Sequence, residues 1–156
     1  MNGAREADFF AAPYSLSEIG AARTLAKARG SRLIEVLDEG EGAFSEVLTS
    51  RLAATVHLRV AGLSDMHAME PAFDLLPYGE ALQRDCLLFR GGAQGLVMVL
   101  ADPFDLGLRD WAEERLRAPL NIRLAHRGDI AAYLARHEET LRAMDGMVSM
   151  QQSPQQ

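Results

Sequence analysis

The chain has 156 residues, 48% of them hydrophobic and 24% charged, which is enough for one ordinary domain or two small ones and excludes global disorder. Its formal charge of −6, with Asp and Glu outnumbering Lys and Arg by 22 to 16, argues against nonspecific nucleic-acid binding, which needs a positive face. Lys27 is the only lysine and lies in Ala26-Lys27-Ala28-Arg29. It has neither the glycine-rich approach nor the following Ser or Thr of a phosphate-binding loop, so this stretch carries no Walker-type ATPase site.

Cys86 is the single cysteine, which excludes an internal disulfide and a cysteine-built zinc cage and fits a reducing cytosol. The start, Met1-Asn2-Gly3-Ala4-Arg5-Glu6, lacks the basic-then-apolar order of a signal peptide. The longest apolar run, Leu96 to Ala101, falls far short of the roughly 20 residues that cross a bilayer. Direct membrane insertion is therefore not expected, and any membrane association goes through a partner.

Residues 1–14 have no periodicity and are expected to form a flexible arm in which Phe9-Phe10 docks, if anything does. Ser15 or Ser17 caps a helix, with Glu18 at capping-box spacing from Ser15. Leu16, Ile19, Ala22 and Leu25 supply its apolar stripe and Gly30 its stop. A second short helix is predicted from Ser31 to Asp38, closing at Gly40. A third runs from about Ala43 to Ala54 with Phe44, Val47, Leu48 and Leu52 on one face. These three helices define a helical subdomain over residues 15–62, too small to be comfortable alone.

Val56 to Val60 alternates and suggests a short half-buried strand or an extended connector, and residues 63–74 read as an aperiodic connector. Leu75-Leu76-Pro77 then leads into a helix over Tyr78–Arg84. Strands follow over Cys86–Arg90 and Gln94–Leu100, joined at Gly91-Gly92. Asp105 caps a helix with Leu108, Trp111, Ala112 and Leu116 inward, and Pro119 ends it. Leu120 to Leu124 alternates as a third strand. Gly128-Asp129 opens a last helix whose core face is Ile130, Tyr133, Leu134, His137, Leu141 and Met144.

The fold class is thus α+β: a small helical subdomain, then a helix-strand-strand-helix-strand-helix sandwich over residues 75–146 with a three-stranded sheet. The Gln-rich residues 147–156 read as a linker or tail between domains of a longer protein.

No catalytic, metal or cofactor constellation emerges. Asp102 and Asp105 flank a strand-to-helix turn, where a helix cap and a self-bonded turn account for both. His57, His67, His126 and His137 are scattered without metal-ligand spacing, with His57 and His126 falling in predicted strands. Cys86 opens a strand as a small buried hydrophobe. Arg23, Arg29 and Arg32 gather at the first helix junction, with Arg51 and Arg59 further on. They read either as a docking surface for an acidic partner or as solvated residues paired with Glu18, Glu35, Glu39 and Glu46, the latter being the simpler account.

Leu96-Val97-Met98-Val99-Leu100-Ala101-Asp102-Pro103-Phe104-Asp105 resembles the strand, Ala-Asp-Pro-x-Asp turn and helix of the N-terminal region of the general secretory pathway protein E and type IV pilus assembly ATPases. Leu75-Leu76-Pro77 is similar to that family's helix entry, and Ile130 to Asp145 to its exit helix; together the likeness covers Ser15 to Val148.

The resemblance implies a noncatalytic adaptor at the cytoplasmic face of the inner membrane. Its expected partners are the cytoplasmic domain of a membrane platform protein and its own downstream ATPase domain, with no cofactor in this segment. Arg23, Arg29, Arg32 and Arg51 are the docking candidates. In another branch, also fused to glycosyltransferases, the helical half binds cyclic di-GMP through repeated Arg-Leu-Gly motifs whose helix ends in Gln. Here only Arg32-Leu33 matches. Ile34 replaces the glycine, Ala53-Ala54 stand near the glutamine position, and no second copy precedes them. Nucleotide contact by Arg32 and Leu33 is therefore the alternative expectation.

Overall fold

The computed structural model describes residues 12–152, with side chains through residue 147. Helix α1 (Leu16–Arg29) begins as its sequence dictates: the Ser15 hydroxyl accepts the Glu18 N–H and the Glu18 carboxylate accepts the Ser15 N–H, both at 3.0 Å. Gly30, at φ 69°, ends it. Two other helices follow, α2 (Leu33–Glu41) and α3 (Ser45–Val56), packed in series with α1 on α2 and α2 on α3. The predicted faces need correction at their ends. Leu16 and Leu25 are exposed while Ala22 and Ala26 are buried, because α1 meets α2 on its small-residue side. Phe44 is likewise exposed, as the residue preceding α3.

Strand β1 is only Arg59–Val60, because α3 runs on to Val56 and His57 ends it in the left-handed region. The aperiodic stretch that reads as a connector holds a helix, α4 (Leu63–Ala68), and an edge strand, β2 (Glu70–Pro71). Gly62 begins α4 and the Asp65 carboxylate takes the Gly62 N–H, a local signal that substitutes for periodicity in so short a helix. Pro71 sits in β2 at the sheet's edge, the place in a sheet that tolerates a missing donor.

The second half follows the sequence closely: α5 (Tyr78–Arg84), β3 (Cys86–Arg90), β4 (Leu96–Leu100), α6 (Leu106–Leu116), β5 (Leu120–Leu124) and α7 (Arg127–Gln152). The β3–β4 connection is longer than two glycines. It is a 3-10 turn over Gly92–Gln94 closed by the Gly91 N–H to the Gly95 carbonyl. A side chain at Gly91 would place its Cβ 2.9 Å from Val97, so the turn needs glycine there.

The sheet has five strands, not three, in the order β1-β5-β4-β3-β2. Of the two short edge strands, β1 falls within the predicted Val56 to Val60 stretch, and β2 escapes a reading that needs at least four alternating residues. β1, β5 and β4 run parallel; β3 and β2 are antiparallel additions. Strands β3 and β4 are buried on both faces, which is why Leu96-Val97-Met98-Val99-Leu100 is apolar throughout. Tyr133 of α7 meets Phe89 edge-on across one face, and α6 buries Leu108 and Ala112. One continuous apolar cluster reaches from Tyr14 through Leu48 and Leu52 to Leu134, so both halves share a core.

Two further corrections concern α7. His126 lies beyond β5, at the helix entry rather than in a strand. Ile130, Tyr133 and Leu134 are buried, but Leu141 and Met144 are exposed, because the helix continues past the body to Gln152 through the stretch that reads as a linker. Residues 1–11 and 153–156, with Phe9-Phe10, lie outside the described residues.

Candidate functional site

The carboxyl ends of β4 and β5 face the helical half, and α6 and α7 start there. Two spaces open at this seam. The inner one is a narrow cleft of about 30 Å³, room for a water or two, bordered by Ile34, Asp38, Thr49, Asp85 and His126. The outer one is an open groove of about 540 Å³ between α1, the start of α2 and the β4–α6 turn. Arg23, Arg32 and Leu33 form one wall, and Asp102, Phe104, Asp105 and Leu106 the other.

The turn that makes the second wall follows from its two aspartates. Asp105 accepts the Leu108 N–H at 3.1 Å as the cap of α6, and Asp102 accepts the Phe104 N–H at 3.0 Å, both as the sequence predicts. Asp102 does more than close its own turn. It is buried, and its other oxygen lies 3.5 Å from the Arg32 guanidinium, joining the helical half to the sheet. Burial pushes its carboxyl above the ordinary range, and the Phe104 N–H and Arg32 offset only part of this. Arg32 is held on its other side by Glu35 at 3.1 Å.

The docking candidates separate into two groups. Arg23 and Arg32 come together with Leu33 in the groove. Arg29 pairs with Glu39 at 3.1 Å outside it. Arg51 is a structural fastener: its guanidinium bonds Glu18 and Glu41, donates to the Ala12 carbonyl and stacks 3.9 Å over the Tyr14 ring. Three of the four glutamates expected as arginine partners, Glu18, Glu35 and Glu39, serve as such.

Sequence reasoning misses Phe104 and Leu106 as groove residues. Leu106 is 68% exposed directly after its cap, and the signal for it was present: a leucine at the first helical position cannot reach the stripe of Leu108 and Ala112. Among the described residues no group of three His, Cys, Asp or Glu side chains is arranged to hold a metal. No described helix is long and apolar enough to cross a membrane.

The body is thus α+β, with an open, mixed apolar and charged groove at the seam of its halves. The MshEN domain family matches residues 56–144, more than half of the chain. The chain belongs to this family, the noncatalytic N-terminal domain of type II secretion and type IV pilus ATPases. A solved structure of MshE with cdg is similar in fold, with a TM-score of 0.60 at 22% sequence identity, covering 78% of this chain and 88% of that one. Among curated proteins, none matches the chain.

Proposed function

We propose that this domain recruits a secretion or pilus motor to the cytoplasmic domain of an inner-membrane platform protein, using the groove at the seam. The observation that supports this is the set of side chains converging there. Leu106 stands exposed with Leu33 and Phe104 half-buried beside it, and Arg23 and Arg32 supply the rim. An apolar anchor seated among such side chains supplies affinity, and Arg23, which has no ion-pair partner among the described residues, selects an acidic neighbour. The motor's hydrolysis belongs to a separate ATPase domain, to which α7 would couple the docked module.

The test is a titration of the domain with the purified cytoplasmic part of the platform protein. Binding in the tens of micromolar or tighter, weakened about tenfold or more by Leu106→Asp and by Arg23→Glu, supports the proposal. No binding by a correctly folded domain refutes it.

A second reading, cyclic di-GMP sensing, draws on the MshE neighbour solved with that dinucleotide and on Arg32 and Leu33 sharing the groove. Ile34 stands against it, because a branched side chain borders the inner cleft where the Arg-Leu-Gly motif has none. Calorimetry with cyclic di-GMP decides: micromolar affinity lost in Arg32→Ala would put sensing first.

A further inference from the structure

On the opposite edge of the sheet, β1 covers only Arg123 and Leu124 of β5, so Leu120 to Ile122 have no strand beside them on that side. A shallow, open groove of about 540 Å³ lies along this stretch. Leu58, Leu120 and Ile122 give it apolar surface, and Arg59, Arg109, Gln94 and Asn121 give it polar groups. No carboxylate lines it. In a chain of formal charge −6 that is an uncommon local balance. Among the described residues neither Arg59 nor Arg109 has an ion-pair partner.

A second observation points the same way. Arg59 and Arg123 are in register on adjacent parallel strands, so two guanidinium stems leave the same face of the sheet side by side. Like charges directly opposed destabilise a sheet. Arg123 is steadied by one bond, to the Gln94 side chain at 2.8 Å, and its Nε is buried with no partner. An anion seated beside Arg59 in the groove would offset this repulsion.

We propose that this groove binds a phosphate-bearing ligand, its dianionic group held by Arg59 and Arg109, with Arg123 adding positive charge from the neighbouring strand position. Two uncompensated positive charges match a phosphate better than a single carboxylate, and forked guanidinium donors fit its oxygens. The apolar surface and the amides of Gln94 and Asn121 would take the remainder of the molecule. This site is separate from the seam groove and does not depend on the docking proposal.

The experiment follows arginine Nε resonances of the domain at low ionic strength during titration with sodium pyrophosphate. A parallel arm measures flotation with phosphatidylglycerol vesicles. Saturable shifts confined to Arg59, Arg109 and Arg123 support a soluble phosphate ligand, and vesicle binding supports a lipid headgroup as its source. In either arm the Arg59→Gln/Arg109→Gln double variant should weaken binding about tenfold or more, while Arg142→Gln leaves it unchanged. The double variant removes repulsion and is expected to fold at least as stably. Unsaturable shifts spread over all arginines together with no flotation would overturn the proposal. So would saturable binding of hexaglutamate where neither phosphate arm binds.

Discussion

His126 and Asp38 join the two halves of the molecule through one imidazole. Its Nε2 lies 3.1 Å from the Asp38 carboxylate on α2, and its Nδ1 accepts the Gly128 N–H at 3.0 Å. Because Nδ1 is the acceptor, the proton sits on Nε2 and is donated to Asp38. The same ring therefore caps α7 and fastens the helical half to it, with Arg127 adding a longer contact to Asp38 at 3.9 Å.

The first prediction follows from this double role. His126→Ala should lower unfolding free energy by about 1–2 kcal/mol, the sum of a lost cap and a lost hydrogen bond across the seam. His126→Asn keeps a capping acceptor and should recover about half. Urea denaturation of the three proteins provides the comparison; equal losses in both variants would show that the cap contributes nothing.

Asp102 predicts a direction of pH dependence. Its carboxyl is raised by burial above the ordinary value of 3.8, so between that value and its folded one the native state holds more protons than the unfolded state. Its contribution to stability must then fall as pH rises through this window. Relative to Asp102→Asn, which keeps an acceptor for the Phe104 N–H without the charge, the wild type should gain stability on acidification toward 3.8. Unfolding free energies from neutral pH downward measure the slope. A wild type that loses ground to the variant on acidification would contradict the assignment.

Arg51 is expected to matter for folding and not for docking. Its side chain is 21% exposed and binds Glu18, Glu41, the Ala12 carbonyl and the Tyr14 ring at once. Burial and the Glu41 hydrogen bond hold the Tyr14 hydroxyl well above its usual range, so it remains a donor in this network. Arg51→Ala should destabilise the domain by about 2–3 kcal/mol, seen as faster amide exchange in α1. Platform-protein affinity, measured below the unfolding transition, should be unchanged.

Cys86 is fully buried at the start of β3, and burial pushes its thiol up to about 12. The native thiolate fraction near neutral pH is then about a thousandfold below that of a free cysteine. Labelling by a disulfide reagent at pH 8 should be slow and limited by opening of the sheet, then complete at once in denaturant. Rapid labelling of the folded protein would show that β3 opens locally.

How much of this was legible in the sequence depends on length and on neighbours. Elements with a cap or a continuous apolar run, such as Ser15 with Glu18, Leu96 to Leu100, and Asp105 with Leu108, were placed by local chemistry alone. β1 was caught only inside the longer alternation Val56 to Val60 and β2 not at all, because a two-residue strand has no period of its own and exists only through its partner on β5 or β3. Arginine pairing was foreseeable in kind, yet Arg51 and Arg32 look equivalent in sequence. Only the fold shows that one is enclosed by Glu18, Glu41 and Tyr14 while the other borders a groove. The Arg59–Arg123 opposition was invisible for the same reason, since it depends on parallel register across 64 positions.

The overrun of α7 has a mechanical consequence. From Glu138 to Gln152 the helix extends about 22 Å at 1.5 Å per residue, beyond its last fully buried side chain, Leu134. A 10° swing of the helix about Tyr133 would displace its tip by about 5 Å. Each residue inserted into the arm would turn its far end by about 100°, so both its phase and its length are built into the sequence.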